Sequence, residues 1–281
     1  MFAGCGKAGS FSIGGAAVFH ISHSGNSMIA YLYIAFPQER IYNELWLVNA
    51  NYNPTPGGSY GNIKGFFQQY PQAERIAGRC MVGSMNHAHA ALADWGLSHL
   101  PETGPAEISE LGCGGGRNIR ALLRKYPAAT VTALDYSEIS VEKAMRVNRK
   151  GLQAGRCRII QGDVSCLPFE DGAFDLVTAF ETVYFWPGPT ESFREVYRTL
   201  RPGGIFLIVN ESDGEDPHAN KWLSVIDGMR IFDGYQLARF LTEAGFSEVI
   251  LNRNAKKHWL CVLAMRENSS LLENEELGGI S

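Results

Sequence analysis

The stretch ELGCGGGRN, residues 110–118, decides how the chain is read. A short apolar run, 106–111, leads into it, and the alternation of a helix, 118–125, follows it. A glycine turn between a strand and a helix is where open parallel sheets hold nucleotides, because free backbone N–H groups and the positive helix end meet there. The dinucleotide fingerprint spaces its glycines as G-x-G-x-x-G. Here Gly112 and Gly114 fill the first two places, but Arg117 stands at the last. The glycines fall instead at 112, 114 and 116, with Gly115 between. This G-x-G-x-G form lets backbone approach a ligand that lacks a pyrophosphate. Glu110, just before the turn, suits a cationic group on that ligand.

Downstream, strand and helix patterns alternate. Strands are predicted at 130–135, 158–161, 174–179 and 204–210, and helices at 137–150 and 191–200, with the turn RPGG at 201–204. Such alternation gives a parallel sheet covered by helices. The end differs: after a helix at 235–244 come two β-rich runs, 248–253 and 258–265, joined by the short polar link NAKK. A link that short permits only an antiparallel hairpin.

Further acids fall in register with the glycine turn. Asp135 ends the second strand, 23 residues after Gly112, where a carboxylate can accept from ribose hydroxyls. Tyr136 follows and could cover an adenine face, with Ser137 next. Gly162, Asp163 and Val164 come just after the third strand, where Asp163 could accept from an adenine amino group and Val164 pack on the ring. An acid at a strand end is often only a helix cap, but Glu110, Asp135 and Asp163 in this order outweigh that simpler reading. Cys113 lies within the turn and touches the ligand by position, its thiol needing no chemistry.

The segment 106–212 resembles the class I S-adenosylmethionine (SAM)-dependent methyltransferases, in particular the small-molecule methyltransferase-domain group. ELGCGGGRN is similar to its first motif, TALDYS to the acidic second, GDVSCLPF to the third, FDLVTAFETVYFW to the fourth, and LRPGG to the turn before strand five. The resemblance implies a Rossmann-like, doubly wound α/β fold of seven strands in order 3-2-1-4-5-7-6, the last antiparallel, under an N-terminal helical cap. It implies SAM as cofactor, held by Glu110, Gly112, Gly114, Asp135, Tyr136, Asp163, Val164 and Phe180.

Methyl transfer from a sulfonium is an in-line displacement, so the protein chiefly aligns the reactants and excludes water. The fold leaves the acceptor open. Acceptor contacts are expected from the cap, from the stretch after strand four and from the loop after strand five. In the cap, Asn86 and His89 lie three apart on one helical face, and His89 could act as a base, although a lone helical His is more often structural. Glu181 reaches the cleft after strand four. Tyr184 is a second catalytic candidate, and Trp186 could line the acceptor pocket with it, although aromatics so placed are as often plain core. Glu211 and Asp213 could face the cleft or solvate their loop. The long connection 212–232 reads as a lid.

The bulk properties agree with a small-molecule enzyme. The chain has 281 residues, a formal net charge of −4 and 45% hydrophobic residues, with a pI near 6.0. That balance lacks the basic patch a nucleic acid requires, and no [ND]PP[YF] run of the base-amine methylases follows strand four. The six cysteines are scattered, without a CxxC pair or zinc spacing, so no metal is expected. They read as reduced thiols in the cytoplasm. The stretch 11–36 is broken by His20, His23 and Asn26 and makes a poor membrane span.

Four regions are expected: a poorly determined extension over 1–60, a helical cap and linker over 61–105, the SAM-binding domain over 106–266, and an acidic, disordered tail over 267–281. Two other functions remain compatible with these residues, an inert SAM-binding module and an NAD-dependent oxidoreductase. The displaced third glycine and the antiparallel ending weigh against the latter. Oligomeric state is not legible.

Overall fold

A computed structural model describes the backbone of residues 9–13, 17–24, 27–35 and 41–48, and residues 89–102, 104–216, 223 and 228–268 in full. The chain divides into two compact units, 1–84 with 221–227, and 85–220 with 228–281.

Within the first unit, β1 (Gly9–Ile13), β2 (Ala17–Ser24), β3 (Ser27–Ala35) and β4 (Ile41–Val48) form an antiparallel meander in sequence order. The extension expected over 1–60 carries a sheet that pattern reading missed. Short runs such as YLYIA are apolar at both parities, so they lack the alternation that marks a half-buried strand. Two residues, Gly25 and Asn26, separate the paired Ser24 and Ser27, a sequence pair suited to a two-residue hairpin. The helical stretch expected at 71–82 lies outside the described residues, as do 269–281 of the tail.

The second unit is a seven-stranded sheet. Its strands are β5 (Glu107–Leu111), β6 (Thr130–Asp135), β7 (Cys157–Gln161), β8 (Phe174–Phe180), β9 (Leu200–Asn210), β10 (Glu248–Asn254) and β11 (Trp259–Met265). They run in the order β7-β6-β5-β8-β9-β11-β10. The first five are parallel, and β11 is antiparallel to both its neighbours. This is the expected 3-2-1-4-5-7-6 order. The central strands are buried on both faces, so they read as continuous apolar runs such as IFLIV.

One face packs α1 (Ala90–Leu97), α2 (Arg117–Lys125) and α3 (Glu138–Val147) around Ile108, Ile119, Leu122, Val131, Leu207 and Val209. The other packs α5 (Pro189–Thr199) and α6 (Gly234–Ala244) around Phe193, Phe206, Ile208 and Leu237. A short α4 (Arg149–Gln153) follows α3. Among the described residues no helix is long and apolar enough to cross a membrane.

Two local departures have physical causes. The single helix expected over 137–150 breaks at Asn148, whose buried amide donates to the Gly116 carbonyl at 2.8 Å and to that of Ala144 at 3.0 Å. The RPGG turn lies inside β9, where pairing with β8 jumps from Phe174–Leu200 to Leu176–Ile205. Gly203 absorbs the irregularity at a φ of +78°. At the lower end of the sheet the Asp175 carboxylate accepts from the Ala106 and Glu107 amides, both at 2.9 Å, and from the Arg201 guanidinium at 2.7 Å.

Candidate functional site

The carboxyl ends of β5, β6 and β8 converge beside the glycine turn, the usual crevice of open α/β sheets. After β5 the chain reverses through Gly112, Gly114 and Gly116, at φ of +73°, +49° and +77°. Only glycine visits this region at no cost. The Gly112 and Cys113 amides donate to the Leu134 carbonyl at 2.8 and 3.0 Å, which ties the turn to the end of β6. A Cβ at Gly112 would lie 2.2 Å from Thr182 Oγ1, and one at Gly116 would strike Asn148 and Ala144. At Gly114, by contrast, a Cβ would point into open space. The turn is therefore packed from behind and approachable in front.

Asp135 closes this end. Its two oxygens accept from the Gly114 amide at 2.8 Å and the Ser137 amide at 2.9 Å, one bond each, leaving lone pairs for a ligand. Burial holds its carboxyl above the ordinary value, with those two amides opposing. Ser137 caps α3, its hydroxyl accepting from the Ser140 amide at 3.4 Å. Glu110 is buried, and the Thr178 hydroxyl donates to its Oε2, while Oε1 has no partner. Burial pushes this carboxyl up to about 8, partly offset by the Thr178 hydroxyl and the nearby Asn118 side chain and helped by the Asp135 carboxylate; neither of the first two makes a hydrogen bond of good geometry to Oε1. A buried, unpartnered carboxylate oxygen beside an open glycine turn fits the cationic amino-acid end of SAM. A second fit lies in the unused lone pairs of Asp135.

The other expected cofactor residues surround this end unevenly. Tyr136 stands 78% exposed beside Asp135, free to cover a flat ligand. Gly162 leaves room that a Cβ would take from Leu134, 2.7 Å away. Asp163 is exposed and accepts from the Ser165 amide and hydroxyl, both at 2.8 Å, which keeps its carboxyl below the ordinary range. Val164 is half-buried against the apolar core. Phe180 and Cys113 are buried, and burial drives the Cys113 thiol well up, so it is no nucleophile.

A second cluster stands where α1, β8 and β9 meet. His89, at the start of α1, sets its Nε2 3.5 Å from Glu211 Oε2 and 3.9 Å from Glu181 Oε2. Burial opposes charge on the imidazole, but Glu211 and Glu181 outweigh it and raise His89 above its usual value. Glu181 occupies the left-handed region at a φ of +58°, a strained place for a residue with a Cβ. Its Oε1 accepts from the Glu211 amide and, at 3.3 Å, from the Tyr184 hydroxyl. That hydroxyl in turn accepts from the Ser212 amide at 3.0 Å. Burial pushes Glu181 up to about 7, against the opposing charge of His89 and helped by the carboxylate of Glu211. The three donor atoms of His89, Glu181 and Glu211 lie within 4.8 Å of one another, a spacing with no counterpart in any sequence motif.

Some candidates fall elsewhere. Trp186 does not line a pocket: its ring is buried against Phe193 and stacks on Phe206 at 6.0 Å, and its indole N–H donates to Thr182 at 3.2 Å. The fourth strand's end turns back through a 3₁₀ segment, Val183–Phe185, which carries Trp186 into the core. Tyr184 is likewise buried, its hydroxyl committed to internal bonds. Asp213 is buried on Arg253 at 2.5 Å and His258 at 3.3 Å, which marks it as structural. Asn86 lies outside the described residues, as do 217–222 and 224–227 of the expected lid. Glu211, read from the sequence as facing the cleft or solvating its loop, proves a member of the cluster; its partners lie 122 and 30 positions away, at His89 and Glu181.

Residues 109–208 match the methyltransferase-domain family model. Cycloartenol-C-24-methyltransferase 1 of Oryza sativa is 32% identical over 102 residues, 36% of this chain and 29% of that protein. Cycloartenol-C-24-methyltransferase of Arabidopsis thaliana is 26% identical over 251 residues, 85% of this chain and 68% of that protein. A SAM-dependent methyltransferase structure from Aquifex aeolicus superposes with a TM-score of 0.56 at 16% identity, covering 66% of this chain and 97% of that one. The match with the rice relative covers well under two thirds of that relative's length.

Proposed function

We propose that the chain, whose residues 109–208 match the methyltransferase-domain family model, transfers a methyl group from SAM to a small-molecule acceptor. The observation that carries this reading is the pairing of an open glycine turn at Gly114 with the unpartnered Glu110 Oε1 and the buried Asp135 carboxylate. The bound cofactor supplies a methyl group already activated on a sulfonium. Asp135 would hold the ribose, Glu110 the amino group, and Tyr136 and Val164 the adenine, with Asp163 at its edge. The backbone of Gly112 and Gly114 would bring the ligand close. His89, Glu181 and Glu211 form the acceptor end, with Tyr184 holding Glu181 from behind.

A small, largely apolar acceptor is supported by the two plant relatives, which are named for cycloartenol. The acidic charge balance supports a reaction without nucleic acid, and no membrane partner is invoked. The free thiols of Cys113, Cys157, Cys166 and Cys261 support a cytoplasmic setting. The test is calorimetric titration with SAM and with NAD, followed by transfer of labelled methyl to cycloartenol and to fractionated small-molecule extracts. SAM binding with transfer to a small molecule is the expected result. NAD binding without SAM binding would overturn the reading, and SAM binding with no transfer to any fraction would reduce the chain to a binding module.

A further inference from the structure

Resting on that reading, we propose that Oε2 of Glu181 takes the proton released during methyl transfer and gives it up to water on the more exposed His89–Glu211 side of the cluster. The acceptor is therefore of the class that gives up a proton as it gains the methyl group.

The two oxygens of Glu181 are not equivalent. Oε1 is committed to the Glu211 amide and the Tyr184 hydroxyl. Oε2 has only the His89 ring nitrogen, at 3.9 Å, too far for a hydrogen bond. One oxygen is thus an anchor and the other remains available. The anchor is itself fixed, because the Tyr184 hydroxyl is pinned by the Ser212 amide.

The residue's position favours contact with a reacting centre. Glu181 directly follows β8, and its neighbour Thr182 packs against Gly112 of the cofactor turn. Its left-handed backbone is held by a hydrogen bond that the Glu181 amide donates to the Val209 carbonyl at 2.9 Å. A strained backbone that neighbouring contacts over-determine is common where a side chain must be aimed.

The cluster is graded from dry to wet. The Glu181 side chain is 13% exposed, that of His89 21% and that of Glu211 32%. Among the described residues, His89, Glu211 and Tyr184 are the titratable groups that face Glu181. A carboxyl lifted by burial to about 7 is matched to accepting a proton at neutral pH.

In the step, the acceptor atom forms a bond to the methyl carbon. The carbon–sulfur bond breaks and its electron pair stays on sulfur. The proton on the acceptor atom, or on its neighbour when the acceptor is an alkene, passes to Glu181 Oε2. It then leaves to water on the side of the more exposed Glu211 carboxylate, while the charge of His89 favours the restored carboxylate of Glu181. An acceptor with no proton to lose, such as a thioether, gains nothing from this arrangement and would leave a cation against it.

The experiment compares wild type with Glu181→Gln, both first shown by calorimetry to bind SAM. Labelled methyl transfer is measured to cycloartenol and to a matched pair, decanethiol and decyl methyl sulfide. Transfer to cycloartenol or the thiol and not to the sulfide is expected, with a rate that rises with pH through about 7 as Glu181 loses its proton. In Glu181→Gln the rate should fall about 100-fold or more and lose that limb. Transfer to the sulfide at the thiol's rate, or an unaltered Glu181→Gln, would overturn the inference while leaving the methyltransferase reading intact.

Difference infrared titration needs no acceptor. Wild type should show a carboxyl titrating near neutral pH that Glu181→Gln lacks, and His89→Gln should move it upward by removing the opposing cation. Absence of that band would also overturn the assignment. Failure to bind SAM would instead strike the underlying reading.

Discussion

The glycine turn and the His89–Glu181–Glu211 cluster lie beside one another yet are built in opposite ways. The turn is assembled largely from backbone, with partners no more than 23 positions away along the chain: three glycines, the Leu134 carbonyl and the Asp135 carboxylate on the Gly114 amide. The cluster is assembled from side chains delivered by three separate elements and held by charge and burial. Backbone geometry tolerates little substitution, whereas side-chain geometry can be exchanged residue by residue. A donor end of the first kind and an acceptor end of the second suit a domain that keeps one cofactor and varies its acceptor.

The largest effect should come from Gly112→Ala. The new methyl would meet Thr182 in a backbone region disfavoured for alanine. A loss of about 1–3 kcal/mol in chemical denaturation is expected from the backbone alone, together with loss of measurable SAM binding. Full SAM affinity in this variant would show that the turn is not the rigid half of the comparison. Next in size, Asp135→Ala should weaken SAM binding about tenfold or more by calorimetry, since charge-assisted hydrogen bonds of about 1.5–3 kcal/mol disappear. Unchanged affinity would place the ribose elsewhere.

The smallest effect should come from Tyr184→Phe. Loss of the hydroxyl removes a donor from Glu181 Oε1 and a partner from the Ser212 amide, at a stability cost of about 0.5–1.5 kcal/mol. The Glu181 titration should move upward while SAM affinity stays the same. A matching loss of SAM affinity would mean that the two ends are not separable.

The same contrast explains what could be read from the sequence. The strand and helix alternation, the closing hairpin and the residues of the turn follow from local periodicity and from spacing within about 50 residues, from Glu110 to Asp163, while the strand order comes from the family resemblance. The cluster does not, because a positive φ at Glu181 and the approach of His89 across 92 positions leave no periodic trace. For Trp186 the sequence leaves pocket wall and plain core equally open. The 3₁₀ turn at 183–185 rotates it into the core. In the meander at 9–48, β3 escaped for a third reason, since a strand apolar at both parities carries no period of two.

Asp175 lies at the far edge of this architecture, yet it sets the phase of the site. Its carboxylate grips the amides of Ala106 and Glu107 while its own strand runs beside theirs, and so locks β5 against β8 like the key in a shaft. A slip of one residue there would carry Glu110 and Gly112 along by ~3.3 Å and turn every side chain of β5 to the opposite face. The alignment of the cleft is thus stored about 20 Å away from it, six residues down the strand, at a strand rise of ~3.3 Å per residue.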